Sequence, residues 1–238
     1  MLDKAQLRRH FDRAAKQYDA AAVLQREVGQ RLYERLDYIN IQPERVLDLG
    51  CGTGFLTQKL LKQYPKAQLI ALDIAVNMLK ITQKQGGWFR KPKVICADAE
   101  QLPLKDASVD VIVSNLMLQW CNDLPNSFAE MRRVLKPNGM VLFSSFGTDT
   151  LKELRESWQR VDQYAHSSTF ADMHDVGDAL MQAGFAQPVM DMDMITMTYH
   201  SVRELMQDLK QIGANNADRQ QRKSLTGKQR LLAFEQAY

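Results

Sequence analysis

The chain has 238 residues, 45% of them hydrophobic and 25% charged, the composition of a folded globular protein with length for one full core and some appendages. A formal net charge of +3 is too mild to mark a nucleic-acid binder, no apolar run reaches the roughly 18 residues of a membrane span, and "MLDKAQLRRHFDRAAKQYDA" is too charged for a signal-peptide core. A soluble, cytoplasmic protein is expected; three dispersed cysteines without a CxxC and four scattered histidines suggest neither a disulfide framework nor a metal site.

Asp3 to Leu36 reads as one or two helices, with Leu7, Phe11, Ala14, Ala15 and Tyr18 on one face. From Arg45 short apolar runs alternate with amphipathic segments: "RVLDLG", "LTQKLLKQY", "QLIALDI", "AVNMLKITQKQ", "PKVICADA", "VDVIVSNL", "LPNSFAEMRRVL" and "GMVLFSSF". That rotation predicts an α/β fold with a mostly parallel sheet flanked by helices, and Pro137-Asn138-Gly139 predicts a turn before the last of these strands. Beyond Gly147, "DTLKELRESWQRVDQY" and "SSTFADMHDVGDALMQAGF" read as helices, the second capped by Ser or Thr and ended at Gly184. "PVMDMDMITMTY" alternates Met190, Met192 and Met194 with Asp191 and Asp193, which predicts a sixth strand with its methionines on the core side. A basic excess in "DRQQRKSLTGKQR" reads either as a solvated face or as a docking patch for an acidic partner.

Chemistry is concentrated at Gly50-Cys51-Gly52-Thr53-Gly54, between the strand Val46 to Leu49 and a helix starting near Leu56. Glycines there permit a tight turn and close backbone approach of a ligand, and the helix N-terminus offers N–H groups. No Lys-Ser or Lys-Thr follows, which disfavours a triphosphate cradle, and the spacing is GxGxG where dinucleotide sites have GxGxxG. Asp48, Asp73 and Asp98 stand at or near successive strand ends and converge on one rim of the sheet. Asp73 is placed to accept both hydroxyls of a ribose.

Here the sequence resembles the class I S-adenosylmethionine-dependent methyltransferases, whose motif "VLDLGCGTG" it carries letter for letter; the likeness spans about Arg45 to Phe146. It implies a Rossmann-like core and S-adenosyl-L-methionine as cofactor, with S-adenosyl-L-homocysteine as product. It also implies that Asp48 and the backbone of Gly50, Cys51, Gly52 and Gly54 surround the methionine part, with Asn115 nearby. Asp73 would take the ribose, Ile74 and Met78 the adenine faces, and Asp98 with Ala99 the adenine amine. After the fourth strand, "SNLMLQW" lacks the Asn/Asp-Pro-Pro-Tyr element of enzymes that methylate DNA bases.

The flanks "FDRAAKQYDAAAVLQREVGQRL", "SSTFADMHDVGDALMQAGFAQPVMDMD" and "LMQDLKQIGANN" resemble the malonyl-acyl-carrier protein O-methyltransferases of biotin synthesis. That resemblance implies one domain: an N-terminal helical cap (1–40) in which Tyr18 and Gln25 help close over the cofactor, a cofactor-binding core (41–147), and substrate-side helices with the sixth strand (148–238). It implies methyl transfer to the free carboxylate of malonyl-acyl carrier protein or malonyl-coenzyme A, giving the ester that primes pimeloyl synthesis, and no nucleic-acid or membrane partner. A carboxylate of pKa roughly 4 needs no general base at neutral pH. It does need a cation, and Arg155, which lacks an acid three or four positions away, is the sequence candidate. Family members continue past the position of Tyr238 into a last apolar strand between the fifth and sixth. The same flanks also resemble a methyltransferase-fold assembly factor of respiratory complex I, and a quinone C-methyltransferase is a third reading.

Overall fold

The computed structural model describes residues 1–87, 90–164, 166, 170–215 and 227–238. The strands are β1 (Arg45–Leu49), β2 (Gln68–Asp73), β3 (Lys93–Cys96), β4 (Val109–Asn115) and β5 (Leu135–Ser144). All pair in parallel in the order β3-β2-β1-β4-β5. The order reverses at β1, so the carboxyl ends of β1 and β4 flank the switch point where α/β sheets hold their ligands.

Alternation along the central strands sorts the core into two layers. Leu47, Leu49 and Ile112 face α6 (Leu124–Val134) and α8 (Met173–Gln182), where Phe128, Met131, Val176 and Leu180 are buried. Val46, Val111 and Val113 face α3 (Val23–Glu34) and α4 (Phe55–Gln63), against Leu32, Leu36, Leu56 and Leu60. A strand covered on both sides must be apolar nearly throughout, which is why "RVLDL" carries a single interior acid. α5 (Val76–Thr82) completes the β2–β3 crossover.

Before the sheet, α1 (Lys4–Ala14) and α2 (Tyr18–Ala21) precede α3. Asp3 caps α1 by accepting from Gln6 N at 3.0 Å, and Phe11, Ala15 and Tyr18 close over Ala75 and Met78 of the core. After the sheet come α7 (Lys152–Gln159), α8, α9 (Val202–Gln211) and α10 (Lys228–Ala237); α7, α9 and α10 share a satellite cluster in which Trp158 stacks on Phe234 at 4.0 Å. Gly184 ends α8 with φ +85°, as expected, but the cap is Asp172, whose carboxylate accepts from His174 N at 2.8 Å.

The turn at Pro137-Asn138-Gly139 is a bulge within β5: Leu135 pairs with Val109, Asn138 takes φ +62°, and pairing resumes at Met140. The expected sixth strand is not formed. Residues 188–199 join no ladder, Asp191 and Asp193 pair with Arg35 and Arg31 at the surface, and Met192 and Met194 are 74% and 68% exposed. A strand exists only against a neighbour, and two guanidiniums on α3 and the turn after it attract the acids instead.

Phe128 is fully buried between Phe143 and Phe185, with ring centroids 5.6 and 6.5 Å away. Phe128→Ala is expected to cost about 3–5 kcal/mol in chemical denaturation, because three elements meet at that ring and cannot all collapse into the gap.

Candidate active site

The glycine loop leaves β1 with φ of +75°, +54° and +93° at Gly50, Gly52 and Gly54, values that β-carbon-bearing residues rarely adopt. At Gly50 space is limiting as well, since a Cβ would stand 2.3 Å from Met117 Cγ. The loop is fastened from inside. Gly50 N and Cys51 N donate to Leu72 O at 2.8 and 3.0 Å, Gly52 N to Asp73 Oδ2 at 2.9 Å, and Gly54 N to Cys51 O at 2.9 Å. Thr82 Oγ1 donates to Gly52 O at 2.6 Å and Gln85 Nε2 to Thr53 O at 3.0 Å.

Those bonds change what the loop offers a ligand. With the amides of Gly50, Cys51, Gly52 and Gly54 engaged within the protein, the loop is not an open anion cradle. Asp48, on the α4 side of β1, accepts from the Thr57 hydroxyl at 1% exposure, and Asp73 accepts from Ala75 N at 2.8 Å as well as from Gly52 N. Burial pushes the Asp48 carboxyl up to about 7 and the Asp73 carboxyl up to about 6; the hydrogen bonds oppose these shifts, and Asp73 adds to that of Asp48. Two buried acids without a paired cation favour a ligand that brings positive charge.

A crevice at the β1/β4 switch point is lined by Tyr18, Gln25, Asp48, Gly50, Cys51, Gly52 and Asn115, all singled out from the sequence. Asn115 is fixed from both ends, donating to Gln25 O at 2.9 Å and accepting from Ser144 Oγ at 2.8 Å. Burial pushes up the pKa of both the Tyr18 phenol and the Cys51 thiol, which keeps them neutral. The lining also contains Asp19, Ala22, Arg26, Thr53, Phe55 and Leu56, which the sequence reading missed. Asp19 accepts from Thr53 Oγ1 at 2.6 Å, and Arg26 donates to the Asp19 carbonyl. Their signal was present: Tyr18, Ala22, Gln25 and Arg26 are spaced as one helical face.

Other expected residues lie outside this lining. Gly54 starts α4, Asp73 acts through the loop, and Ile74 carries a carbonyl 3.5 Å from Cys96 Sγ. Met78 is buried beneath Phe11 and Ala15, and Ala99 belongs to the main core. Asp98 pairs with Lys4 at 3.0 Å and borders a separate, open surface depression of about 700 Å³ whose Glu130 and Arg133 pair with each other. Arg155 is also outside, its guanidinium donating to the carbonyls of Thr148 and Thr150.

S-adenosylmethionine fits the donor set. Its ammonium and sulfonium suit Asp48 and Asp19, and Gly52 faces open space, a Cβ there meeting nothing within 4 Å. The crevice encloses about 50 Å³, below the roughly 300–1,000 Å³ of small-molecule pockets, and residues Tyr18, Asp19, Ala22, Gln25 and Arg26 form its cap-side wall.

The raised acids set a pH dependence. Between the unfolded value of 3.8 and about 7 the unfolded chain has released protons that the folded chain still holds on Asp48 and Asp73, so their contribution to stability falls as pH rises through that window. Thermal melts of the ligand-free protein from pH 5 to 8 are expected to show a shallower decline for Asp48→Asn than for wild type. Cofactor binding at pH 6.5 should release protons, detectable as a buffer-dependent calorimetric enthalpy.

Residues 47–143 match the family described as "Methyltransferase domain". The fold is similar to that of an S-adenosylmethionine-dependent methyltransferase from Thermotoga maritima, with a TM-score of 0.58 at 20% identity over 75% of this chain and 81% of that one. A malonyl-acyl-carrier protein O-methyltransferase of Gallionella capsiferriformans is 51% identical over 96% of this chain and 81% of its own length. Its counterpart from Halorhodospira halophila is 47% identical over 100% of this chain and 80% of its own length. By that identity, sustained from the cap through the helices after β5, the chain belongs to the family of malonyl-acyl-carrier protein O-methyltransferases.

Proposed function

We propose that this chain transfers a methyl group from S-adenosylmethionine to the free carboxylate of a malonyl thioester, carried by an acyl-carrier protein or by coenzyme A. The cofactor half rests on the acid-lined crevice at the β1/β4 switch point, and the substrate half on relatives that are themselves O-methyltransferases of that name. In the resembling enzymes the ester primes biotin synthesis.

S-adenosylmethionine supplies a methyl group made electrophilic by a positive sulfur. A malonyl carboxylate oxygen takes the methyl carbon as the carbon–sulfur bond breaks with its electron pair toward sulfur, leaving a methyl ester and S-adenosylhomocysteine. The nucleophile is already ionised at neutral pH, so no side chain has to remove a proton. The chain's work is therefore to position and to exclude water. Asp48, ionised on binding, holds the cationic side of the cofactor, and Tyr18 and Gln25 of the cap close the site from above. Asn115 presents a locked amide at the end of β4. Ordered reactants and a dry site together can supply several kcal/mol of the barrier reduction.

The substrate carboxylate needs a cation, and Arg26 takes the role first assigned to Arg155. Among the described residues that line the crevice Arg26 is the one guanidinium, while that of Arg155 is committed to two backbone carbonyls. Arg26→Gln is expected to lower kcat/KM for the malonyl thioester by about 10²-fold, the scale of a charged hydrogen-bonded contact, with titrated affinity for S-adenosylhomocysteine nearly unchanged. Weakened homocysteine-cofactor binding would instead assign Arg26 to the methionine carboxylate. Arg155→Gln should reduce melting temperature more than turnover.

The reaction itself is tested by mass spectrometry of malonyl-carrier protein and malonyl-coenzyme A after incubation with cofactor. One added methyl group, located on the malonyl arm and removed by mild alkaline hydrolysis, is the expected result. An unchanged malonyl arm, with cofactor binding confirmed by titration, would overturn the assignment.

A further inference from the structure

The net charge of +3 conceals a strongly uneven surface. Arg9, Arg13 and Lys16 fall at helical spacing along the solvent side of α1 and its continuation, and all are exposed. Arg8 adds a cation one position round, reaching Asp12 only at 3.9 Å. The neighbouring helix α5 extends the patch: Asn77 binds Asp12 through its backbone N at 2.7 Å and meets Lys80 Nζ at 3.0 Å, and Lys84 stands one turn further on. Among the described residues Arg9, Arg13, Lys16, Lys80 and Lys84 have no carboxylate within salt-bridge distance. Asp12, whose carboxylate already binds the Asn77 amide, is the one acid between them. His10, tucked under this face, reports the same field: after burial, Arg13 and Arg9 are what lower its pKa.

The placement of the patch is what gives it meaning. The inner side of α1 buries Leu7 and Ala14 and covers Met78, and Lys16 precedes by two residues Tyr18, which lines the crevice. Its outer side therefore lies next to the segment from Tyr18 to Arg26 that forms one wall of the crevice. We infer that the cationic face formed by α1 and α5 is the docking surface for an acidic protein, the one that carries the malonyl thioester. This rests on the function proposed above for the partner's identity; the charge complementarity stands apart from it. Unneutralised surface cations beside a site steer an oppositely charged partner and raise its encounter rate, an effect that weakens with salt.

The test uses the full chain carrying Arg9→Glu and Arg13→Glu together. A control carries Lys62→Glu and Lys66→Glu, exposed lysines at the opposite end of the sheet. Affinity for malonyl-carrier protein is measured by titration, and kcat/KM is measured separately on malonyl-carrier protein and on malonyl-coenzyme A. The expected result is a loss of at least about tenfold in affinity and in kcat/KM on the carrier protein, largely absent in about 0.5 M salt, with the coenzyme A reaction and the control unaffected. Equal losses on both substrates would make the face part of the cap's stability, and no loss of carrier affinity would overturn the inference. Reduced binding to duplex DNA or anionic vesicles with intact carrier binding would also overturn it. Wild type that binds the carrier protein at this face without methylating it would keep the docking surface and sink the proposed reaction.

Discussion

One buried carboxylate organises the site. Asp73 accepts from Gly52 N at 2.9 Å and from Ala75 N at 2.8 Å, so the end of β2 holds both the glycine loop leaving β1 and the first turn of α5. Thr82, one helix further, returns a bond to Gly52 O at 2.6 Å. A three-glycine turn would otherwise be the most mobile stretch near the switch point, since glycine gives up the most backbone freedom on ordering. Closing its N–H groups inward also decides the electrostatics. With the amides engaged, the acids dominate, and the crevice takes a cation where many glycine loops take a phosphate.

The N-terminal cap depends on that frame and is held differently. It reaches a separate strand end or crossover at each of several points: Lys4 to Asp98 at 3.0 Å, Asp12 to Asn77 at 2.7 Å, Asp19 to Thr53 at 2.6 Å, and the Gln25 carbonyl to Asn115 at 2.9 Å. Partly exposed polar ties of this kind are worth about 0–1 kcal/mol each, far less than the apolar layers that flank the sheet. Small apolar contacts such as Phe11 against Trp120, at 5.4 Å, add to them. A cap fastened by many weak links can lift while the sheet stays intact, the behaviour expected of the low-stability parts of a fold that cover binding sites.

Much of this was legible in the sequence because the physics is local. Parallel strands buried on both sides must be apolar runs, a tight strand-to-helix turn must be glycine-rich, and acids at strand ends must meet on one rim. What was not legible depended on partners remote in the chain. The Met/Asp alternation at 190–194 is a valid period of two, but period alone does not supply a neighbouring strand, and Asp193 and Asp191 pair at the surface with Arg31 and Arg35 instead. Asp98, read as an adenine contact, also pairs with Lys4, which is far away in sequence. Arg155 had no acid three or four positions away, yet backbone carbonyls five and seven residues before it bind its guanidinium, and sequence spacing carries no sign of such bonds. The basic stretch at 219–230 lies largely outside the described residues, and the cationic face that is described was hidden by an acid count taken over the whole chain.

The charge pattern links these observations to the chemistry. The reaction joins a cation and an anion into neutral products, so a site that bound either reactant too well would hold back the other. Asp48 at about 7 is close to half-ionised at neutral pH and Asp73 at about 6 mostly ionised, and a cationic ligand favours the charged form of both. Arg26, held by the Asp19 carbonyl on the cap side, brings the opposite charge to the crevice. Asp48 on the sheet and the Arg26 guanidinium on the cap thus place opposite charges on two walls of one crevice. Walls that exclude water from between two such charges let them react faster.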